Sequence, residues 1–339
     1  CRSQFPISFI YIIVYCRKMV GLSLGEKHFI KGGIDQNIRS DGRKRDSYRP
    51  IFVETGIIPQ ANGSARVRMG ATEVIASVKA ELGRPSALHP DKGKVAIFVD
   101  CSAVAEPTFE GRGGEELSAE LSVALERCLL GGTSGAGAGI DLTSLIVAEG
   151  KICWDLYIDS LVISSDGNLL DALAAAIKGH ISNISVVRVM KCLYNFFECS
   201  CDGVLIKLLK AALANTAIPK VNISAAASGD EQPEVDISDE EFLQFDTSAV
   251  PVIITLTQVG RHYIVDATSE EESHMSSAVS ISVNRKGHIC GLTKRGGEGL
   301  DPSVVSDMIS VAQHLSELLM SRLDSEISAA EAEGGDEEL

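Results

Sequence analysis

The hydrophobic positions of the chain recur either every second residue or every third to fourth residue, and together these patterns predict an α/β protein. Residues 51–58 and 64–69 are strand-like runs separated by turn-forming residues, so they predict a β-hairpin. In the second run Arg66 and Arg68 alternate with apolar residues, which predicts that both arginines lie on one face of the strand. Residues 74–78 predict a third strand.

The same two patterns predict the remaining elements. Residues 95–101 are continuously apolar and predict a buried strand. Residues 110–114 predict a loop, and the spacing of leucines from Glu115 predicts a helix that ends at residues 131–132. The other predicted elements are a helix at 22–38, strands at 145–147 and 153–163, a turn at 166–168, a small-residue helix from Leu169, strands at 250–259, 262–266, 278–284 and 289–293, and a helix at 302–328.

These elements divide the chain into six segments. They are residues 1–18 (a leader), 19–47 (an N-terminal helix and a basic stretch), 48–220 (an N-terminal domain), 221–249 (an acidic linker), 250–328 (a C-terminal ββββα domain) and 329–339 (an acidic tail). The leader is apolar and is followed by Arg17 and Lys18. We interpret it as a translated leader or a gene-model error, with a membrane anchor as the alternative.

Residues 179–210 interrupt the helix that starts at Leu169. The segment opens with a glycine and includes β-branched residues, which are poor helix formers. Removing it joins Lys178 to Ala211 and produces one alanine-rich helix that ends near Pro219. We therefore hypothesise that the segment is a retained intron or a mis-annotated exon, with a genuine surface insertion as the alternative.

The net charge is −15 and the isoelectric point is near 4.9, which argues against a protein that coats nucleic acid through bulk charge. A local basic patch remains compatible with RNA binding. The acidic residues concentrate at 230–246 and 331–338, which we interpret as a solvated linker and tail. A basic cluster precedes the first hairpin and consists of Arg39, Arg43, Lys44, Arg45 and Arg49.

The nine cysteines predict neither disulfides nor a metal site. Four of them stand alone among apolar residues, as small buried side chains do (Cys101, Cys128, Cys153 and Cys290). Three others lie close together but form no CxxC pair (Cys192, Cys199 and Cys201). The glycine-rich residues 131–139 lack the Gly-Lys-Ser/Thr ending of a phosphate loop and predict a surface loop. We expect a reducing compartment, no metal and no cofactor.

Several motifs occur together in the first 81 residues. They are DGR at residues 41–43, NGSARVRMGAT at residues 62–72, and Lys-Ala-Glu at residues 79–81. In this order they resemble the RNase PH family, which includes bacterial RNase PH, polynucleotide phosphorylase and the ring subunits of the exosome. The resemblance covers residues 19–328 except 179–210. It implies an RNase PH-like α/β (α+β) fold, with a ribosomal protein S5 domain 2-like core of mixed sheets and packed helices and a ββββα C-terminal half.

The resemblance also provides a test of activity. Active members of the family bind phosphate with a Gly-Thr-Arg or Gly-Ser-Arg element at a helix start, where charge and N–H groups favour an anion. The matching residues here are Gly167, Asn168 and Leu169, so leucine stands at the arginine position. Active members also have a basic pair at the start of the long helix, where this chain has Glu115 and Glu116.

A third element of the family site differs as well. Active members have two late aspartates for acid–base work or a metal ion. The matching segment here is residues 266–279, in which the second aspartate position falls on Ser277 or Ala278. Residues 270–272 are glutamates that we interpret as a charged turn. The resemblance therefore implies no catalytic residue in this chain.

These departures predict a non-catalytic ring subunit of the eukaryotic RNA exosome that scaffolds the ring and guides RNA during 3′→5′ processing and decay, including ribosomal RNA processing. Its expected partners are other RNase PH-like ring subunits, S1/KH cap subunits and RNA, but no membrane, in the nucleus, nucleolus and cytoplasm. The alternatives are an active phosphate-dependent 3′→5′ exoribonuclease and a membrane-anchored protein. The predicted RNA contacts are Arg112, Arg43, Lys44 and Arg45; Arg66 and Arg68 are expected to bridge subunits or loops.

Overall fold

The predicted hairpins and helices are present in a computed structural model that describes residues 22–130, 140–183, 219–224, 234–242 and 250–336. The helices are α1 (Leu24–Asp35), α2 (Arg112–Leu130), α3 (Leu169–Asn183), α4 (Ser269–Glu272) and α5 (Pro302–Asp336). The strands are β1 (Ile51–Thr55), β2 (Gly63–Met69), β3 (Thr72–Gly83), β4 (Lys94–Cys101), β5 (Ile146–Ala148), β6 (Ile152–Ser164), β7 (Pro219–Ser224), β8 (Glu234–Phe242), β9 (Val252–Val259), β10 (His262–Val265), β11 (Ser277–Val283) and β12 (Ile289–Arg295).

The first sheet has the order β1-β2-β3-β6-β4, with β5 beside β6. The pairing is antiparallel except between β4 and β6, which run parallel. The predicted hairpin is confirmed, with Ile51 opposite Met69 and Thr55 opposite Ala65. Val67 and the other apolar residues of β2 face the core, so the arginines of this strand lie on the opposite face, as predicted.

Strand β4 is only half-buried, which corrects the prediction of a fully buried strand. Phe98 is 56 % exposed, whereas its neighbours on either side face the core. The strand lies at the edge of the sheet, where one face and one row of backbone groups meet solvent or a helix. Helix α2 covers part of this edge, because Ser122 Oγ accepts from Val99 N at 3.0 Å and Ser118 Oγ accepts from Cys101 N at 3.1 Å.

Helix α2 begins at Arg112 and not at Glu115, which is a second correction. The glycines of residues 110–114 predicted a loop because they are poor helix formers. Tertiary packing outweighs that preference, since Gly114 lies against the short 3-10 turn Pro107–Phe109. A Cβ at Gly114 would lie 2.1 Å from the Phe109 carbonyl oxygen, so only glycine permits this approach.

The second sheet has the order β10-β9-β11-β12 and, with α5, forms the predicted ββββα unit. Helix α3 contacts β2 and β3 on one side and β9 on the other, so it lies between the two sheets. Its buried alanines allow this close packing (Ala172, Ala174, Ala175 and Ala176). One continuous hydrophobic core therefore joins both halves of the chain.

The two acidic segments contain regular secondary structure, although their roles as linker and tail stay predictions. Residues 221–249 were predicted to be a linker, but they contain most of an antiparallel ribbon in which β7 pairs with β8. The β-branched residues Val221, Ile223, Val235 and Ile237 recur at every second position, which favours strands despite the surrounding charge. Helix α5 continues to Asp336, because the predicted tail contains alanine and glutamate, which are good helix formers.

Several sequence predictions lie wholly or partly outside the described residues. They concern residues 1–18, residues 131–139, the cysteines at 192, 199 and 201, and most of 179–210. Helix α3 continues to Asn183, so the first five residues of 179–210 extend it; the intron hypothesis stays a prediction. The four isolated cysteines are buried and free, as predicted. In the described residues no helix is both long enough and apolar enough to cross a membrane.

Candidate functional site

The turn at residues 166–168 lies where the sequence predicted a lost phosphate site. Thr72, the last residue of the NGSARVRMGAT motif, fixes this turn, because its Oγ1 donates to Gly167 O at 2.9 Å and accepts from Asp166 N at 3.0 Å. Asn168 has a φ of +54°, and α3 begins at the next residue. The motif on which the family resemblance rests thus shapes the start of α3.

The backbone N–H group of the residue that precedes α3 already donates a hydrogen bond to an anionic side chain. Asn168 N donates to Glu272 Oε1 at 3.0 Å, so a carboxylate of the chain itself lies at the start of the helix. Burial raises the pKa of Glu272, and the hydrogen bond from Asn168 offsets part of this effect. Arg295 Nη2 lies 4.0 Å from the same oxygen. Leu169 is the first residue of α3 and packs into the core, so it brings no charge to this place.

Asp266 organises the region next to the turn. It is fully buried, and its carboxylate accepts from Arg49 N at 2.7 Å, Arg49 Nη2 at 2.7 Å and Asn168 Nδ2 at 2.9 Å. Arg43 Nη1 adds a bond of 3.0 Å. Burial acts to raise the pKa of Asp266, but the hydrogen bonds and charge of Arg49 outweigh it and hold the pKa below its usual range.

Gly70, which belongs to the NGSARVRMGAT motif, makes room for the Arg49 side chain. A Cβ at Gly70 would lie 2.5 Å from Arg49 Cδ, so a larger residue there would displace the guanidinium. Arg49 Nη1 also donates to Asp166 O at 2.8 Å, which links the turn before α3 to Asp266. Arg49 thereby connects the N-terminal and C-terminal halves of the chain.

A second buried pair lies beside the first. Arg39 donates to Glu271 through two nitrogens and to Asp266 O at 2.8 Å, and both charged side chains are buried. Glu271 also belongs to a capping box with Thr268 at the start of α4. The glutamates at 270–272 are therefore not a simple charged turn, because two of them hold backbone or arginine groups.

The position of the second family aspartate contains no acid. Ser277 and Ala278 are both buried at the start of β11. Ser277 Oγ donates to Gln258 Oε1 at 2.9 Å, so this hydroxyl stabilises the second sheet. Across the described residues no group of three or more His, Cys, Asp or Glu side chains has the arrangement that a metal ion requires.

Two family models match the chain. They describe domain 1 of the 3′ exoribonuclease family, over residues 47–178, and domain 2 of the same family, over residues 249–314. The chain belongs to this family. The order of the two domains and the position of the gap between them agree with the fold, and the predicted RNase PH resemblance is confirmed.

Relatives and solved structures of the family cover nearly the whole chain. The chain is 31 % identical to the putative exosome complex exonuclease RRP42 of Dictyostelium discoideum, over 90 % of this chain and 98 % of the relative. It is 28 % identical to the exosome complex component Rrp42 of Methanopyrus kandleri, over 85 % and 91 %. An Archaeoglobus fulgidus exosome structure with RNA bound to the active site matches with a TM-score of 0.65, 24 % identity and coverage of 87 % and 96 %, which confirms the predicted fold class.

Within this family member the predicted RNA contacts have different surroundings. Arg43 has its guanidinium directed to Asp41, Ser47 O and Asp266. Lys44 is exposed, and Arg45 contacts Asn37 and His262. The RNA role of all these residues stays a prediction.

The other three arginines named in the sequence predictions, Arg112, Arg66 and Arg68, also differ in their surroundings. Arg112 has a side chain that is 92 % exposed at the first residue of α2, with Glu116 at 3.9 Å. Arg66 is paired with Glu54 and Glu73, and Arg68 lies 4.9 Å over the Phe52 ring. Arg112 is therefore the least engaged of these arginines, and its position at the end of a helix leaves the guanidinium open to solvent.

One buried acid escaped the sequence analysis. Asp171, in the first turn of α3, accepts from Thr255 N at 2.9 Å and Thr255 Oγ1 at 2.6 Å. Thr255 Oγ1 also lies 2.8 Å from Ser280 Oγ, so the contact joins α3 to two strands of the second sheet. Burial raises the pKa of Asp171 to about 7. An acid within an otherwise apolar helical stretch was the only local signal of this contact.

Proposed function

We propose that this chain is a non-catalytic ring subunit of the eukaryotic RNA exosome, which scaffolds the ring and guides RNA for 3′→5′ processing and decay. One observation carries the absence of catalysis. The position of the phosphate-binding arginine is Leu169, and the neighbouring N–H donates to Glu272. A carboxylate at that place repels a phosphate anion, and a leucine offers it no compensating charge.

The proposed assembly is supported by the names of the relatives and by their coverage. The Methanopyrus relative is an exosome complex component, and the alignment covers almost all of both chains. We infer that this chain contacts other RNase PH-like ring subunits and S1/KH cap subunits, and that it acts in ribosomal RNA processing and in the decay of messenger and non-coding RNA. We place it in the nucleus, the nucleolus and the cytoplasm.

The proposed RNA contacts are residues whose charge is directed outward. Arg112 is almost fully exposed, Lys44 is exposed, and Arg45 has uncharged hydrogen-bond partners. Such cations can pair with phosphates of a passing strand. We assign Arg43 mainly to folding, because two carboxylates and a backbone carbonyl already accept its donors.

Reconstitution tests the scaffold role. Co-expression of the full-length chain with the other ring subunits is expected to give one complex that contains all of them in fixed ratio on size-exclusion chromatography. A ring that assembles fully without this chain, or a chain that elutes apart from the ring, would overturn the proposal. The control is a co-expression in which a different ring subunit is omitted.

An active phosphate-dependent 3′→5′ exoribonuclease is the second candidate, because the Dictyostelium relative is named an exonuclease. The purified full-length chain is incubated with uniformly labelled single-stranded RNA, with and without inorganic phosphate, beside bacterial RNase PH as a positive control. We expect no nucleoside diphosphates from the chain. Phosphate-dependent release of nucleoside diphosphates would establish the enzyme in place of the scaffold.

A further inference from the structure

A cleft of about 570 Å³ has none of residues 166–168 in its lining, so it is distinct from the turn before α3. The lining includes Ser310 and His314 of α5, residues of β10, and Arg261 in the turn that precedes β10. Residues 37–46 close one end. This volume lies in the range of small-molecule sites, which is about 300–1,000 Å³.

The charges of the cleft oppose the charge of the chain. Its lining contains Arg45, Arg261, His262 and His314 but only one carboxylate, Asp46. The chain as a whole carries a net charge of −15, so two arginines beside a single carboxylate around one cavity depart from its average surface. A local excess of cationic groups on an acidic protein favours an anionic ligand at this place.

Arg45 is held in position without being neutralised. Its backbone N and its Nε donate to Asn37 Oδ1 at 3.0 Å and 3.2 Å, and its Nη1 donates to His262 Nδ1. These acceptors are uncharged, because an imidazole nitrogen that accepts a hydrogen bond carries no proton. Within the described residues no carboxylate forms an ion pair with Arg45 or Arg261. A fixed guanidinium that keeps its charge binds an anion at little entropic cost.

The second imidazole nitrogen of His262 supports the same arrangement. His262 Nε2 lies 3.5 Å from Asp35 Oδ1, at the end of α1. When Nδ1 accepts from Arg45, the ring proton is on Nε2 and is directed toward this carboxylate. The contact with Asp35 therefore favours the tautomer that holds Arg45, while Asp35 itself is not a lining residue of the cleft.

The apolar part of the cleft lining indicates a ligand that has an apolar portion in addition to a phosphate group. This part of the lining is formed by aliphatic side chains with one aromatic ring beside them (Leu256, Val265, Val311, Leu315 and Tyr263). An apolar lining and a ring suit the base and sugar of a nucleoside, and guanidinium groups suit its phosphate. We propose that this cleft binds a phosphorylated nucleoside, either free or as one nucleotide of a single RNA strand. The choice of a nucleotide ligand rests on the proposed role in RNA guidance.

Calorimetry with the full-length chain and 5′-AMP tests the proposal. We expect 5′-AMP to bind at least tenfold more tightly than adenosine or inorganic phosphate, because each of these lacks one half of the ligand. Arg261→Gln is expected to weaken 5′-AMP at least tenfold, and Arg45→Gln at least as much. Arg84→Gln is the matched control, since Arg84 is exposed and lies outside the cleft. Because Arg45 also holds Asn37, melting curves accompany its variant, and the exposed Arg261 gives a second, independent test.

Two further arms identify the source of the nucleotide. A six-nucleotide RNA that binds more tightly than 5′-AMP and loses this advantage in Arg261→Gln indicates a strand, whereas equal affinity indicates a free nucleotide; both support the site. Absence of saturable binding, equal binding by Arg261→Gln, tighter binding of an acidic peptide, or loss of binding when the ring assembles would each overturn it. Ring assembly and the absence of phosphorolysis are measured separately, so failure of this site leaves the proposed function standing.

Discussion

Two pairs of arginines, Arg39 with Arg49 and Arg112 with Arg261, illustrate two fates of positive charge in one chain. Arg39 and Arg49 are buried against Glu271 and Asp266, and they join the two halves of the fold. Arg112 and Arg261 are exposed. The difference shows that a basic cluster in sequence does not define a nucleic-acid surface, because the position of the carboxylates decides which charges remain available.

The largest effect is expected from breaking the buried pair. Arg49→Met removes the two hydrogen bonds that the Arg49 side chain donates to the Asp266 carboxylate and leaves that acid buried with fewer cations. Loss of one partner of a buried ion pair costs about 3–5 kcal/mol, although the backbone N–H of residue 49 is retained. The free energy of unfolding in urea measures this cost. Lys44→Met, at an exposed position, is the control, and a loss below about 1 kcal/mol from Arg49→Met would show that the pair is dispensable.

Asp171 is a buried acid that has no arginine partner, and it can be compared with Asp266, which has arginine partners. Asp171 accepts only from uncharged groups, and its pKa is raised to about 7 by burial. The folded state therefore binds its proton more tightly than the unfolded state, so this group destabilises the fold as pH rises from about 4 to 7. Asp266 has the opposite sign: its lowered pKa gives stability above the unfolded pKa that is lost as pH falls through the folded pKa.

Asp171→Asn tests this assignment. The amide can keep both contacts to Thr255 but does not titrate, so the variant should lose less stability than the wild type between pH 5 and pH 7. Since one pKa unit corresponds to about 1.4 kcal/mol, we expect the difference in unfolding free energy to change by about 2 kcal/mol over this interval. Parallel pH profiles for the two proteins would mean that Asp171 does not titrate in this range. Asp46→Asn, at an exposed acid, is the control.

The sequence predicted what local patterns determine. Alternation in residues 64–69 identified strand β2 and its outward arginines, and the successive apolar runs at 250–259 and 262–266 identified the paired strands β9 and β10. Local patterns contain no signal for which strand lies at the edge of a sheet, so β4 was wrongly predicted as buried. The same limit explains why the contacts of the candidate site were not predicted. Arg39 donates to Glu271, which lies 232 residues away in the sequence, and no spacing within residues 39–49 indicates that partner.

Arg43 tests the distinction between arginines that stabilise the fold and arginines that contact RNA. Its guanidinium bonds to the buried Asp266, but Arg49 keeps that acid paired when Arg43 is lost. We therefore expect Arg43→Gln to cost about 1 kcal/mol of unfolding free energy and to leave the RNA affinity of the reconstituted ring unchanged. Lys44→Gln should leave stability unchanged. A drop in RNA affinity for Arg43→Gln, with stability intact, would move Arg43 to the RNA-binding group.

The smallest effect is expected at Arg112, because its side chain contributes little to folding and its one ion pair among the described residues, with Glu116 at 3.9 Å, is exposed. Arg112→Gln should leave the melting temperature unchanged and weaken RNA binding by the reconstituted ring by about three- to fivefold at low salt. If Arg112 pairs with one phosphate, the slope of log affinity against log salt should fall by about 0.7, the value for a single strand. Arg127→Gln is the matched control, since Arg127 is exposed in the last turn of the same helix. If the slope of log affinity against log salt is unchanged in Arg112→Gln, Arg112 is exposed to solvent and does not contact RNA. The two groups of arginines would then differ only in their contribution to folding.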